Sequence, residues 1–267
     1  MRNILDEILA NKHIEVEQLR VTRPLTALKS LAGYALPRRN FFGAVSVPRR
    51  GRPNLIAEIK QSSPSAGLIR PDLDPVILAC QYAAAEADAL SILTDTRYFG
   101  GQIEYIERIK STVGLPVLRK DFLFDSYQLH ESRAYGADAV LLIADALTTT
   151  KLVELVDLAA ELDLCVLVEV HEHNVLVQTL LALDVGRRSG LLLGINNRDL
   201  KRQVVDLATT EKLAPLIPPG TPLVAESGIK TRQDVRRMHT AGARALLVGE
   251  ALIRANDPES AIRELFS

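Results

Sequence analysis

Short apolar runs alternate with amphipathic segments along the chain from residue 54 onward. The apolar runs resemble buried strands and begin near Leu55, Ala89, Pro116, Ala139, Cys165, Leu191, Pro222 and Ala245. The segments between them have helical spacing and cover residues 75–86, 103–110, 127–135, 149–162, 172–183, 207–216, 232–240 and 258–266. Glycines that typically end helices stand at positions 114, 136, 220 and 242. Eight strand–helix units predict an α/β fold, the (β/α)8 TIM barrel.

An open, doubly wound sheet is the alternative arrangement of the same elements. That fold more often carries a glycine-rich fingerprint after its first strand. Here the corresponding positions hold Ser62, Ser63, Pro64 and Ser65. We therefore predict that residues 51–267 form a catalytic barrel.

The first 50 residues have a different pattern. Residues 3–20 have helical spacing that places Ile4, Ile8 and Val16 on one side. A basic, proline-containing stretch follows at 37–53, and we predict that it is a solvated linker and not a nucleic-acid site. Residues 1–50 are predicted to be a helical extension that packs on the barrel or caps it.

Composition narrows the class of protein. A length of 267 residues and a hydrophobic fraction of 47% suit one large barrel. The net charge of −1 gives no overall field for nucleic acid or anionic membranes. The chain shows neither a secretory signal pattern nor an uncharged apolar stretch of the roughly 20 residues that span a bilayer. These features predict a cytoplasmic enzyme with no nucleic-acid or membrane partner.

The cysteines and histidines do not indicate a metal site. Cys80 and Cys165 lie in apolar surroundings and are expected to be buried free thiols. His171 and His173 are two positions apart at a predicted helix start, so they cannot share a helix face. We expect them to be polar residues of a helix terminus.

Charged and amide side chains stand at the ends of several predicted strands. Glu58 and Lys60 end the first, and Lys120, Glu169 and Asn196 end three others. All strand C-termini of a parallel barrel meet at one face. Unpaired charges in an apolar mouth cost several kcal/mol, so their convergence predicts a catalytic site.

Glycines after the seventh and eighth strands indicate an anion site. Gly228 and Gly249 would let backbone N–H groups approach a phosphate, and Glu250 could contribute only through its backbone N–H. Nearby, Phe99, Phe122 and Leu142 could clasp a planar ring or simply pack in the rim. Arg198 could hold a carboxylate through two hydrogen bonds, or could be a surface residue.

Several motifs together resemble those of the indole-3-glycerol phosphate synthase family. They are AEIKQSSPSAG at 57–67, LRKDF at 118–122, LVEVH at 167–171, GINNRDL at 194–200 and AESGI at 225–229. They occur in the family's order from about residue 54 to the end, and the helical extension is similar too. The departures are Gln61-Ser62 and Arg202-Gln203, which concern loops around the substrate.

The resemblance implies closure of the indole ring in tryptophan biosynthesis. The family converts 1-(2-carboxyphenylamino)-1-deoxyribulose 5-phosphate to indole-3-glycerol phosphate, with loss of carbon dioxide and water and without a cofactor or metal. It implies Lys120 as the general acid for ring closure and Glu169 as the group that stabilises positive charge. Lys60 and Glu58 would be acid and base for dehydration, with an exchange of roles left open.

The resemblance also assigns binding residues. Asn196 and Ser227 would orient substrate hydroxyls or the amine. The phosphate would be held by Ser63, Gly228, Gly249 and Glu250, with Lys60 nearby. The anthranilate ring and its carboxylate would lie among Pro64, Phe99, Phe122, Leu142 and Arg198. Association with other enzymes of tryptophan biosynthesis is left open.

Three other functions compete with this interpretation. The isomerase one step earlier in the pathway needs a thiol and a carboxylate, but Cys165 is expected at the closed end of the barrel. A Schiff-base aldolase would use Lys120 or Lys60 as a nucleophile. An inactive barrel could instead serve as an assembly subunit, with residues 1–50 as its docking arm.

Overall fold

The computed structural model describes residues 4–33, 35–48, 51–185, 188, 190–199 and 204–266. Within them, eight parallel strands close a barrel in which each strand pairs with its neighbours in sequence and β1 pairs with β8. The strands are β1 Asn54–Ile59, β2 Ala89–Leu93, β3 Val117–Lys120, β4 Ala139–Ile143, β5 Cys165–Val170, β6 Leu191–Asn196, β7 Leu223–Glu226 and β8 Ala245–Val248. The predicted TIM barrel is confirmed.

Helices precede the barrel and connect its strands. Three of them come before β1: α1 Ile4–Thr22, α2 Leu25–Ala32 and α3 Phe41–Ser46. The others are α4 Pro75–Ala84, α5 Thr96–Phe99, α6 Glu104–Lys110, α7 Ser126–Ala134, α8 Thr149–Glu161, α9 His173–Leu183, α10 Ala208–Leu213, α11 Arg232–Thr240, α12 Glu250–Ile253 and α13 Pro258–Phe266. Two 3-10 turns, Ala144–Ala146 and Ala214–Leu216, and a small hairpin, Ser62–Ser63 with Gly67–Leu68, complete the described elements.

Successive side chains along each strand point alternately into and out of the barrel, and this divides the apolar core into two layers. Side chains such as Ile56, Leu118 and Leu141 point into the barrel and pack together there. Their neighbours Leu55 and Leu142 point outward and pack in a second cluster, with the surrounding helices. The strands are buried on both sides, which explains why they appear in the sequence as nearly continuous apolar runs.

Helix α3 closes the N-terminal end of the barrel. Its Phe41 and Val45 join the inner cluster beside Ala89 and Ala139, the first residues of β2 and β4. The side chain of Asn40 caps the helix by accepting a hydrogen bond from the Gly43 backbone N–H at 2.7 Å. Burial of the two apolar side chains draws this stretch onto the barrel. The prediction of a solvated linker is therefore wrong for residues 39–46.

One arginine of this basic stretch, Arg39, is held by backbone carbonyl groups. The Arg39 guanidinium donates to the carbonyl oxygens of Leu115 at 2.8 Å and Lys110 at 2.7 Å. Arg49 and Arg50 lie outside the described residues, as do Arg202 and Gln203. No described helix is both long and apolar enough to cross a membrane.

Helix α1 lies at the opposite, C-terminal end of the barrel. Nζ of the buried Lys12 is 3.0 Å from Oδ2 of Asp95 and 3.1 Å from Oδ1 of Asp121, two residues that follow β2 and β3. The first turns of α1 thereby reach the barrel mouth. The N-terminal segment thus contacts both ends of the barrel: α3 lies at the N-terminal end of the strands and α1 at their C-terminal end.

Candidate active site

A cavity of about 180 Å³ opens at the C-terminal ends of the strands. It is lined by almost every side chain or glycine that the sequence indicates: Glu58, Lys60, Ser63, Pro64, Phe99, Lys120, Phe122, Glu169, Asn196, Arg198, Ser227, Gly228, Gly249 and Glu250. Parallel closure of the strands brings these distant positions together. The convergence expected from the strand ends is therefore present.

Lys120 lies between two carboxylates from other strands. Its Nζ is 3.0 Å from Oε2 of Glu169 and 3.0 Å from Oε2 of Glu226. Both carboxylates are almost fully buried, whereas the Lys120 side chain keeps 15% of its surface exposed toward the cavity. The lysine is thus the member of this trio that a ligand can reach most directly.

Glu226 is a site residue that the sequence analysis does not single out. It is the last residue of β7 and pairs in register with Asn196. Its Oε1 is buried and has no hydrogen-bond partner among the described residues. A Cβ at position 194 would lie only 2.5 Å from that oxygen, so Gly194 provides the space for this carboxyl group. The strand-end pattern that indicates Glu169 could also have indicated Glu226.

The surroundings shift the pKa values of Lys120, Glu169 and Glu226 in different ways. Burial alone would lower the pKa of Lys120, but Glu169, Glu226 and Glu58 outweigh it and raise that pKa. Burial would raise the pKa of Glu169, but Lys120 and His171 hold it well below the usual range. Burial and the nearby Glu169 raise the pKa of Glu226 to about 8, although Lys120 opposes the shift. The two shifts have opposite directions, so they favour an ionised Glu169 and a protonated Glu226.

Glu58 and Lys60 form an ion pair on the wall of the same cavity. Their side chains project to the same side of β1 because they are two positions apart. Oε1 of Glu58 rests against Gly249, where an added Cβ would lie 2.3 Å away. Gly249 therefore leaves the space that the Glu58 carboxylate occupies.

The predicted anion-binding residues lie on one side of the mouth. Ser227 and Gly228 follow β7 with positive φ angles of 64° and 81°. A Cβ on Gly228 would meet Val205 at 2.4 Å, so both its φ and its packing favour glycine. The Glu250 carboxylate accepts a hydrogen bond from Arg254 at 3.0 Å, and its pKa is lowered by Arg254 although burial opposes this. Lys230 also lines this side.

Apolar side chains form another part of the cavity wall. The ring centroids of Phe99 and Phe122 are 6.0 Å apart, and Pro64 lines the same space. Arg198 donates to Oγ of Ser65 at 3.1 Å and lies at the rim. An aromatic ring with an acidic substituent would find both kinds of contact here.

Leu142 does not belong to this wall, and that prediction is wrong. It is fully buried in the outer layer, while its neighbours Leu141 and Ile143 line the cavity. A shift of one residue along a strand reverses the face to which a side chain points. The inward residues of β4 are therefore the odd-numbered ones.

Two further predictions need correction. Cys80 is exposed on α4 and not buried, whereas Cys165 is buried at the start of β5, where desolvation raises its thiol pKa to about 12. His171 is not part of a helix terminus, because α9 begins at His173. Its ring is instead buried behind Glu169. No group of three His, Cys, Asp or Glu residues in the described part of the chain has a geometry that could hold a metal ion.

Helix α1 supplies part of the cavity wall, which the sequence does not indicate. Ile4, Leu5 and Ile8 line it. The fold and the site together define a TIM-barrel enzyme whose mouth combines lysine–carboxylate chemistry with glycine-rich turns suited to an anion.

Comparison with known proteins gives the family. The sequence model of indole-3-glycerol phosphate synthase matches residues 5–265. An indole-3-glycerol phosphate synthase from Acidithiobacillus ferrooxidans is 46% identical over 267 residues, covering 100% of this chain and 99% of the relative. One from Geobacillus kaustophilus is 47% identical over 263 residues, covering 98% and 96%. The chain therefore belongs to the indole-3-glycerol phosphate synthase family.

Solved structures support the fold alone. A crystal structure of 3-hexulose-6-phosphate synthase matches with a TM-score of 0.60 and 18% identity, covering 79% of this chain and 97% of that one. A second, from Salmonella typhimurium, has a TM-score of 0.60 and 16% identity, covering 79% and 96%.

Proposed function

We propose that the protein is an indole-3-glycerol phosphate synthase, a carboxy-lyase of tryptophan biosynthesis. It would convert 1-(2-carboxyphenylamino)-1-deoxyribulose 5-phosphate to indole-3-glycerol phosphate with release of carbon dioxide and water. The observation that carries the proposal is the position of Lys120. Its ammonium group lies 3.0 Å from each of two buried carboxylates and is exposed to a cavity that the Glu58–Lys60 pair also lines.

Ring closure is the first step. The aromatic carbon that bears the carboxylate forms a bond to the ketone carbon, and the carbonyl π electrons move to oxygen. This carbon is a poor nucleophile, so an acid must polarise the ketone. Lys120 donates a hydrogen bond and then a proton to that oxygen. Because carboxylates raise its pKa, Lys120 is fully protonated at neutral pH and has the proton to give.

Decarboxylation follows from the charge that ring closure creates. Positive charge develops on the nitrogen-bearing ring, and the bond to the carboxyl carbon returns its electron pair to the ring as carbon dioxide departs. A buried, ionised carboxylate stabilises such a cation strongly. Glu169 fits that role because Lys120 and His171 keep its pKa low.

Dehydration completes the indole. The hydroxyl group leaves as water after it receives a proton, and a base removes a proton from the adjacent methylene carbon. Lys60 and Glu58 are our acid and base, and their roles could be exchanged. Glu226, with a pKa of about 8, can return a proton to Lys120 at 3.0 Å. Acid–base groups alone balance the atoms and electrons of each step.

Substrate binding uses the two sides of the cavity. Ser63, Gly228, Gly249 and the Glu250 backbone receive the phosphate, with Lys60 close by. Asn196 and Ser227 orient the hydroxyl groups or the amine. The anthranilate ring packs against Pro64, Phe99 and Phe122, and Arg198 faces its carboxylate. All of these residues line one cavity, which supports the assignment.

A Schiff-base mechanism is disfavoured by the same electrostatics. A nucleophilic lysine needs a lowered pKa, whereas the carboxylates around Lys120 raise its pKa. Reduction with borohydride in the presence of substrate should therefore leave no covalent adduct. A trapped adduct on Lys120 or Lys60 would favour the aldolase.

The decisive experiment is a fluorescence assay of indole formation. Folded protein with saturating substrate should give indole-3-glycerol phosphate, and Lys120→Met should lower kcat by at least about 10²-fold, the scale of a general acid. Lys151→Met, which removes a surface lysine paired with Glu154, is the matched control and should keep full activity. Absence of the indole product from folded protein would refute the function.

The proposal extends to the protein's surroundings in the cell. We propose a cytoplasmic location and association with other enzymes of the pathway, which fractionation and co-purification would test. An enzyme that is active alone as a monomer would remove the motive for a scaffold role of residues 1–50.

A further inference from the structure

His171 lies directly behind Glu169, on the side away from the cavity. It follows β5, and its side chain is 6% exposed. Its Nδ1 is 2.9 Å from Oδ2 of Asp145, in the turn after β4, and its Nε2 is 3.2 Å from Oε1 of Glu169. Neither His171 nor Asp145 is among the residues that line the cavity. Any effect of His171 on substrate must therefore pass through Glu169.

The two buried carboxyl groups beside Lys120 have unequal surroundings. Glu169 has a nitrogen near each carboxylate oxygen: the Lys120 ammonium at Oε2, and at Oε1 the Nε2 of His171, 3.2 Å away without hydrogen-bond geometry. Glu226 has Lys120 at Oε2, while its buried Oε1 has no partner among the described residues. An unpartnered, buried carboxyl oxygen is costly as part of an anion and much less costly when it carries a proton. The arrangement therefore favours the proton on Glu226.

We propose that His171, held by Asp145, is a positioning residue that stays charged behind Glu169, keeps that carboxylate ionised and leaves the proton of the pair on Glu226. The proposal rests on the proposed function and explains how one site keeps an anion and a carboxylic acid side by side. His171 would fix both the orientation and the charge of Glu169 without contacting substrate.

The groups around the imidazole support a stable cation. Asp145 and Glu169 face its two nitrogens, and Lys120 and Glu226 lie beyond Glu169; Glu172 and His173 are exposed neighbours in the chain. Burial would lower the pKa of His171, but Asp145 and Glu169 outweigh it and raise that pKa to about 10. The histidine therefore acts as a fixed charge at neutral pH and not as a pH switch.

The charge state can be measured without any activity. The chain has five histidines, so ¹⁵N-histidine labelling with His171→Gln as the assignment control would resolve the ring signals. We expect His171 to remain protonated on both nitrogens at pH 8. A neutral ring at pH 7, or titration near the ordinary value of about 6.5, would overturn the proposal.

Kinetics test the effect on Glu169. His171→Gln keeps a polar side chain but removes the charge, so the pKa of Glu169 should rise and the acidic limb of the kcat profile should move up by about one pH unit, with KM within about twofold. One unit of pKa corresponds to about a tenfold change in ionised fraction. Asp145→Asn, which retains the imidazole, should shift the limb in the same direction by less. A purely structural role would leave the pH profile unchanged.

The outcomes separate the proposal from the function on which it rests. If His171→Gln does not fold, Asp145→Asn and the wild-type ring signals still decide the question. If both variants keep the wild-type pH profile, His171 does not act through Glu169. If wild-type protein makes no indole product, the function fails, whereas the ring signals still report whether the buried cation exists.

Discussion

Replacement of Lys12 by Met should destabilise the protein more than the loss of any surface ion pair. The Lys12 side chain is 1% exposed, and its Nζ lies 3.0 Å from Asp95 and 3.1 Å from Asp121, both of which are buried as well. Methionine would fill similar space but leave these two buried carboxylates, and the more exposed Glu15 at 3.0 Å, without this cation. Breaking one partner of a buried pair costs about 3–5 kcal/mol. We expect the lower end, about 3 kcal/mol, because Arg119 still contacts Asp121 at 3.2 Å.

Chemical denaturation at neutral pH and at lower pH measures this cost. Burial would raise the pKa of Asp121, but Lys12 and Arg119 lower it from 3.8 to about 2. A carboxyl group with a depressed pKa adds stability above its unfolded pKa and loses it as pH falls through the folded value. The stability difference between wild type and Lys12→Met should therefore be full above about pH 4 and narrow toward pH 2.

A matched control makes the comparison strict. Lys151 pairs with Glu154 at 2.8 Å on the surface of α8, and exposed pairs contribute about 0–1 kcal/mol. Lys151→Met should stay within that range at every pH. If Lys12→Met also stayed within about 1 kcal/mol of wild type, the buried carboxylates would have to be neutralised in another way, and our account of how α1 is held would be wrong.

Two further changes test the cavity. Gly249→Ala should lower kcat/KM about tenfold or more, because its Cβ would lie 2.3 Å from Oε1 of Glu58 and displace that carboxylate. Gly114→Ala is the kinetic control, since a Cβ at position 114 meets nothing within 4 Å. Equal activity of the two variants would contradict the assigned contact. Glu226→Gln should flatten the pH dependence of the melting temperature. The Glu226 pKa is raised to about 8, so the folded wild type holds an extra proton and loses stability as pH rises from about 4.5 to 8, which glutamine cannot do. An unchanged slope would argue against a protonated Glu226.

The barrel could be predicted from the sequence because its strands obey simple rules. Apolar runs predicted to begin at Ala89, Ala139 and Cys165 are strands that begin at those residues. The same rules placed Glu58 and Lys60 on one face of β1. The prediction for Leu142 was wrong because strand side chains alternate between the inner and outer faces with a period of two residues. An error of one residue in assigning the inward positions therefore exchanges the two faces.

Features that depend on distant contacts were harder to predict. Helix α3 has only six residues and lies in a basic stretch of the sequence. It is buried because it covers the open N-terminal end of the barrel, and the local sequence does not reveal that contact. The ring of His171 is buried against Asp145, which is 26 positions earlier in the chain and follows a different strand. Glu226, in contrast, is the last residue of β7, so the strand-end pattern could have indicated it.

Three consecutive charges at the end of β3 connect the candidate acid to the N-terminal helix. Lys120 points into the cavity, whereas Arg119 does not line it. Asp121 contributes to the cavity wall, and both Arg119 and Asp121 are buried. Arg119 contacts Glu131 of α7 at 2.9 Å, and Asp121 contacts Lys12 of α1. Each charge of this short segment thus has a partner on a different element, in addition to the 3.2 Å pair between Arg119 and Asp121. A shift of α1 would move Asp121 and, through one peptide bond, Lys120. Lys12→Met should therefore lower kcat as well as stability, and an unchanged kcat in the folded variant would show that β3 holds its lysine without help from α1.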